Sequence, residues 1–203
     1  CMKANEPLHI QWNAATDEVE VVNYSAGDHA HLCVEAKIVN LDGSVVWSEK
    51  KCMSSIEDST VKCFKLDFSG ELTAAHFVKL TLWESERVVS DNFYIRGTEE
   101  GNFQAVRTLP EVSLRKRVKM ECNNGEWSAV VTLRNTSDVP ALMIRLNTLG
   151  EEDGKQILPV FYSDNYFSLL PGEERTVTGR WRDIDTRGNK AEVVVSGYNV
   201  KLK

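Results

Sequence analysis

Apolar and polar side chains alternate along most of this chain with a period of two. Residues 29–40 are the clearest case. Ala30, Leu32, Val34, Ala36 and Ile38 fall on one face, and His29, His31, Cys33, Glu35 and Lys37 on the other. Successive side chains of a strand point to opposite faces, so this run predicts a half-buried β-strand. Asp42-Gly43 is a turn signal leading into Val45-Val46-Trp47, and 60–68, 76–84 and 87–96 read as further strands. Residues 112–122 pass through Asn123-Asn124-Gly125, a hairpin signal, into Trp127, Ala129, Val131 and Leu133 on one face. Strands at 141–149, 157–162, 174–182 and 191–200 follow. Pro171-Gly172 suits the centre of a type II turn, because Pro fixes φ and Gly accepts a positive φ. Few windows hold a sustained helical period.

The alternation relaxes between 97 and 110, where Gly97-Thr98-Glu99-Glu100-Gly101-Asn102 is followed by Leu109-Pro110. On either side lie about seven short strands with turn signals every 8–12 residues, the pattern of an immunoglobulin-like sandwich. The expectation is an all-β chain of two consecutive immunoglobulin-like β-sandwich domains. Residues 1–12 are a linker from a missing upstream domain, 13–97 the first sandwich, 98–110 a linker and 111–203 the second sandwich. A Ser-Asp-Asn-aromatic tetrapeptide occurs at Ser90–Phe93 and Ser163–Tyr166. The copies fall at different stages of the two domains and are read as coincidence.

Composition narrows the function. The 203 residues carry 24 Lys and Arg against 30 Asp and Glu, a formal net charge of −6. An acidic balance argues against nucleic acid as a partner, since phosphate neutralisation needs a basic surface. No apolar run approaches the roughly 20 residues of a membrane span, and no signal-peptide core is present. The first residue is Cys1, which reads as the start of a fragment cut from a longer chain. The alternative is a mature lipoprotein anchored through Cys1.

Five cysteines, at 1, 33, 52, 63 and 122, cannot all pair, and no C-x-x-C occurs. A two-residue turn at Asp42-Gly43 would set residues summing to 85 opposite each other, Cys33 facing Cys52 and Glu35 facing Lys50. That register also sets core-side Val34 and Ala36 against Lys51 and Glu49, so a bulge could shift it. Buried, inert thiols are the simpler expectation.

Four groups of residues invite a chemical reading. Asn5-Glu6-Pro7 resembles the surroundings of a glycosidase acid/base, but Glu6 has no barrel before it, and a linker is expected. His29, His31 and Cys33 share a strand face. Alternate residues on one strand lie about 6–7 Å apart, too far to converge on one zinc ion, so no metal is expected. Arg115, Lys116, Arg117 and Lys119 form a basic run, read as a solvated face or a docking surface. All four histidines precede residue 77, which removes histidine-dependent catalysis from the second domain. The most distinctive stretch is Phe161-Tyr162-Ser163-Asp164-Asn165-Tyr166-Phe167. Tyr162, Asp164, Asn165 and Tyr166 supply the aromatic faces and amide or carboxylate groups that hold sugars. The competing expectation is structural, with Asp164 and Asn165 tying the loop through Asx turns.

The run Ile157-Leu158-Pro159-Val160-Phe161-Tyr162-Ser163-Asp164-Asn165-Tyr166-Phe167-Ser168-Leu169-Leu170-Pro171-Gly172-Glu173-Glu174-Arg175-Thr176-Val177-Thr178 closely resembles the last domain of glycoside hydrolase family 2. The resemblance is greatest to exo-β-D-glucosaminidases and mannosylglycoprotein endo-β-mannosidases, and looser to β-mannosidases. Ser90-Asp91-Asn92-Phe93-Tyr94 through Gly101-Asn102-Phe103 resembles the end of the penultimate domain, and Glu6 to Trp12 the segment after the catalytic barrel. The resemblance implies two accessory sandwiches whose partner is an upstream catalytic (β/α) barrel of the same chain. The catalytic glutamates lie in that barrel, and Glu6 matches neither. It further implies an exported, periplasmic or extracellular enzyme whose double displacement needs no cofactor, metal or organic. The expected role is support of the barrel. The rival is a free-standing carbohydrate-binding or adhesion module with a glycan as its partner.

Overall fold

The computed structural model of the protein describes residues 5–201, so Cys1 lies outside the described residues. The chain divides into two compact units, residues 1–108 and 109–203. Among the described residues no helix is long and apolar enough to cross a membrane.

In the first unit, strands β1 (Leu8–Asn13), β2 (Glu18–Asn23) and β5 (Ser59–Lys65) form a sheet in the order β1-β2-β5. Strands β3 (His29–Asn40), β4 (Val45–Ser55), β6 (Ala75–Glu84) and β7 (Arg87–Gly97) form the other, ordered β4-β3-β6-β7. All pairings are antiparallel. Ile10, Val19 and Val21 from the first sheet meet Leu32, Val34, Ala36, Ile38, Val78, Leu80 and Leu82 from the second, all fully buried. Three strands facing four is the arrangement of an immunoglobulin-like sandwich.

Sequence and structure differ here in instructive ways. Residues 8–12, expected within a linker, belong to β1. Its backbone is held by β7 side chains: Ser90 Oγ accepts from Ile10 N, and Asn92 Nδ2 donates to Ile10 O. Ala30, expected in the core, is exposed, because the β3–β4 register shifts between His29 and Leu32 and His31 adopts φ 58°. The Asp42-Gly43 turn is a three-residue loop. Asn40 N donates to Ser44 O, and Gly43 takes the positive φ of 86°. A bulge between Ile38 and Val39 then restores the register that faces Cys33 with Cys52. The two cysteines form a disulfide, against the expectation of inert thiols. Lys51 does lie opposite core-side Val34, and its Nζ reaches across to donate to Cys63 O on β5 of the facing sheet. Glu35 is opposite Lys50 but bonds Lys37 at 3.0 Å, while Lys50 lies over the Trp83 ring.

The expected linker 98–110 is partly ordered into the first unit, whose last element is a 3₁₀ turn at Gln104–Thr108 with Val106 buried. In the second unit, β8 (Leu114–Asn123), β9 (Glu126–Asn135), β11 (Phe161–Tyr162) and β13 (Glu174–Arg182) form a sheet ordered β11-β13-β9-β8. Strands β10 (Ala141–Gly150), β12 (Phe167–Leu169) and β14 (Ala191–Ser196) form the opposing sheet, ordered β12-β10-β14. The β8–β9 hairpin turns on Asn124 and Gly125, both at positive φ, as Asn-Gly predicts. Expected strand 157–162 shrinks to Phe161–Tyr162. Pro159 has no N–H to give a sheet ladder, so pairing with β13 begins only beyond it. Val131, Leu133, Ile144, Leu146, Leu169, Val177 and Trp181 fill the core. Trp181 lies nearly parallel to Trp127, ring centres 6.3 Å apart.

Candidate functional site

The segment 161–167 leaves β11 at the edge of one sheet and enters β12 at the edge of the other. Its polar side chains are turned to the protein's own backbone. Asn165 Oδ1 accepts from Leu146 N at 2.8 Å, and its Nδ2 donates to Leu146 O at 3.1 Å. One side-chain amide thus stands in for a missing strand beside β10. Asp164 Oδ2 pairs with Arg175 at 2.5 Å, both largely buried, and its Oδ1 accepts from Asn165 N. The Arg175 guanidinium also lies over the Phe167 ring. Tyr162 bonds Thr148 through its hydroxyl at 2.5 Å and packs where a side chain at Gly179 would clash. Burial raises the Tyr162 pKa above the ordinary phenol value. Tyr166 is the member of the set open to solvent. It sits at φ 60°, the residue 59% exposed, with Arg145 above one face of its ring.

The other expected sites are also engaged structurally. Glu6 accepts from Ser90 Oγ at 2.7 Å, which ties the chain before β1 to β7. His29 is clamped between Glu84, 2.6 Å from Nδ1, and Ser25, 2.6 Å from Nε2. His31 is exposed in a left-handed conformation, and the Cys33 sulfur is consumed by Cys52. Among the described residues no group of three or more His, Cys, Asp or Glu could hold a metal. Of the basic run, Arg115, Arg117 and Lys119 face outward, whereas Lys116 turns to Val193 O at 3.0 Å. Burial raises the Cys63 thiol to about 11, which keeps it protonated and unreactive.

Two residues with large structural roles were not singled out from sequence. Asn23 ends β2 and Asn135 ends β9, each fully buried. Asn23 Nδ2 donates to Gly27 O and Ile56 O, and its Oδ1 accepts from Ser25 N and Oγ. Asn135 Nδ2 donates to Val139 O and Leu169 O, and its Oδ1 accepts from Ser137 N and Oγ. The available signal was an Asn-x-Ser at the end of a strand, present once in each unit.

Comparison with known proteins supplies the context these geometries lack. Residues 92–200 match the family model of the exo-β-D-glucosaminidase Ig-fold domain, and residues 17–96 that of the mannosidase Ig/CBM-like domain. The chain is 29% identical over 222 residues to an exo-β-D-glucosaminidase of Amycolatopsis orientalis, covering 97% of this chain and 21% of that protein. It is 26% identical over 243 residues to a mannosylglycoprotein endo-β-mannosidase of Lilium longiflorum, covering 88% and 25% respectively. The crystal structure of the Amycolatopsis orientalis exo-chitosanase superposes with a TM-score of 0.92 at 28% identity, over 99% of this chain and 26% of that one. The chain therefore spans about a quarter of the length of the relatives it matches.

Proposed function

Since the chain belongs to the family of exo-β-D-glucosaminidase Ig-fold domains, we propose that it is the non-catalytic accessory β-sandwich region of a retaining β-glycosidase. The parent enzyme is of the exo-β-glucosaminidase or β-mannosidase type, and its catalytic barrel lies upstream in the same polypeptide. The observation that carries this reading is what Glu6, Asp164, Asn165 and His29 do. Each is spent on holding backbone or a neighbouring side chain, and none is left poised against a second catalytic group. A retaining pair needs two carboxyl groups about 5–5.5 Å apart on a rigid scaffold. The work of these units is to pack, brace and present surface. Of the four residues expected to touch sugar, only Tyr166 keeps a ring open to one.

We place the enzyme in an exported compartment. The support is the Cys33–Cys52 bridge, since disulfides persist where the surroundings are oxidising. An antibody raised to this chain and used on lysate and secreted fractions tests both statements. The expected band is several times larger than a 203-residue chain and enriched in the exported fraction. A band of 203-residue size would overturn the accessory reading in favour of a free-standing module.

A further inference from the structure

Strand β11 is two residues long, so among the described residues β13 has no paired strand on that side beyond Arg180. A hollow of about 310 Å³ lies there. Pro159, Phe161 and Trp181 form its apolar side, and Glu126, Arg180 and Arg182 its polar side. A wider depression of about 740 Å³ shares Glu126 and Arg182 and continues to the Asn124-Gly125 tip and Ile184. Together they make one elongated groove on the second unit. It ends in two side chains that burial has not claimed, Phe161 at 69% and Ile184 at 77% exposure.

The polar groups differ in how far they are committed. Arg182 is fixed by a two-pronged bond to Asp185, 2.9 Å on both arms. Arg180 and Glu126 have no ion pair among the described residues. Arg180 is the cross-strand neighbour of Phe161, so a free guanidinium stands beside an open aromatic face. Glu126 lies opposite Arg182. Two cations meet three carboxylates, Glu126, Asp183 and Asp185, but Asp183 is held by Trp127 Nε1 and Asp185 by Arg182, so the groove attracts neither sign of charge strongly. The rest of that sheet face is different. Arg115, Arg117, Lys119 and Arg134 are exposed there against Glu121 and Glu174, and Arg115 sits directly opposite Arg134. A polycation approaching along the sheet is repelled.

We propose that this groove binds an uncharged β-linked hexopyranoside chain. A pyranose presents an apolar C–H face to Phe161, while its hydroxyls donate to the Glu126 carboxylate and accept from Arg180 and Arg182. The shared wall between the two hollows extends the site to more than one sugar residue, with Ile184 at the far end. The choice of a β-linked sugar rests on the glycosidase reading above; the groove itself does not.

The test is titration of the 203-residue chain with β-1,4-mannotetraose and with the β-1,4-linked glucosamine tetramer. It is followed by calorimetry and by tryptophan fluorescence, with Trp181 in the wall as reporter. Mannotetraose is expected to bind. Phe161→Ala and Glu126→Gln each weaken it about five- to tenfold, the scale of one aromatic or charge-assisted contact, with unchanged melting temperature. The cationic tetramer binds more weakly at low salt, and the gap narrows as salt is added. A flat wild-type titration at millimolar mannotetraose overturns the site, and so does binding that survives Phe161→Ala. Tighter binding of the cationic tetramer overturns the assignment to an uncharged chain. A large native band with a flat titration removes this site alone. Binding together with a 203-residue band removes the glycosidase reading alone.

Discussion

Asn23 in the first unit and Asn135 in the second perform the same task with the same geometry, whereas the bracing around them shares nothing. Each asparagine closes the end of a strand, bonds a carbonyl four residues on and a second on a distant segment, and is locked by a serine two residues later. A sandwich end contains buried carbonyls that no ladder reaches, and each one left unpaired costs about 1–3 kcal/mol. The lateral bracing is freer. The first unit links β3 to β4 by a disulfide on its outer face; the second has no cysteine pair and stacks Trp127 on Trp181 instead. Charge diverges as well. Residues 1–108 hold 10 Lys and Arg against 17 Asp and Glu, and residues 109–203 hold 14 against 13. The backbone closure recurs because its physical demand recurs, and the bracing varies because several devices meet it.

The largest effect is expected from Trp181→Ala, about 4 kcal/mol lost from the second unit, as for other large-to-small changes in cores. Urea unfolding that resolves the two units should leave the first unchanged. Next come Asn23→Ala and Asn135→Ala, each about 3 kcal/mol, because each strands several buried partners at once. If the two losses differ widely under the same urea protocol, the shared-closure argument fails. Cys52→Ser should cost the first unit roughly 2–3 kcal/mol, since the bridge closes a loop of sequence separation 19. Calorimetry should show the second unit indifferent to reductant.

The smallest effect is a pH response. Burial, helped by the charge of Arg96, holds the pKa of His76 below the ordinary imidazole value. The unfolded chain therefore takes the proton more readily than the native state does. The stabilisation is fully present above about pH 6.5 and is lost as pH falls from there through the lower value of the folded state. His76→Gln should flatten that part of the first unit's pH–melting curve. The second unit contains no histidine and should lack the feature.

The alternating pattern was enough to find the long central strands, because a strand buried on one face must alternate. It could not find where alternation is overruled. β6 is buried on both faces, with Phe77 and Lys79 covered on the outer side by Phe93 and Asp91. β1 was absorbed into an expected linker because its anchoring lies in β7, some 80 residues away. Cys33 faces Cys52 as the residue sum predicts, although the loop is not the two-residue turn which that sum assumes. A three-residue loop and a one-residue bulge offset each other, and two such errors leave no trace in a sum of residue numbers. The 161–167 loop was legible as a cluster of polar and aromatic groups. Whether such groups face a ligand or the chain's own backbone depends on one unpaired amide and carbonyl at Leu146, which no local pattern reveals.

The two buried asparagines carry a consequence for making the protein. Asn23-Tyr24-Ser25 and Asn135-Thr136-Ser137 both spell the acceptor signal for N-linked glycosylation. In the folded state each amide nitrogen already gives both hydrogens to carbonyls in a space with no room for a glycan. The transferase of a eukaryotic secretory host, however, meets the chain before it folds. A sugar attached there would hold the ends of β2 and β9 open and yield material that never closes. A bacterial periplasm without that enzyme meets both requirements of this chain, leaving the asparagines bare while oxidising Cys33 and Cys52.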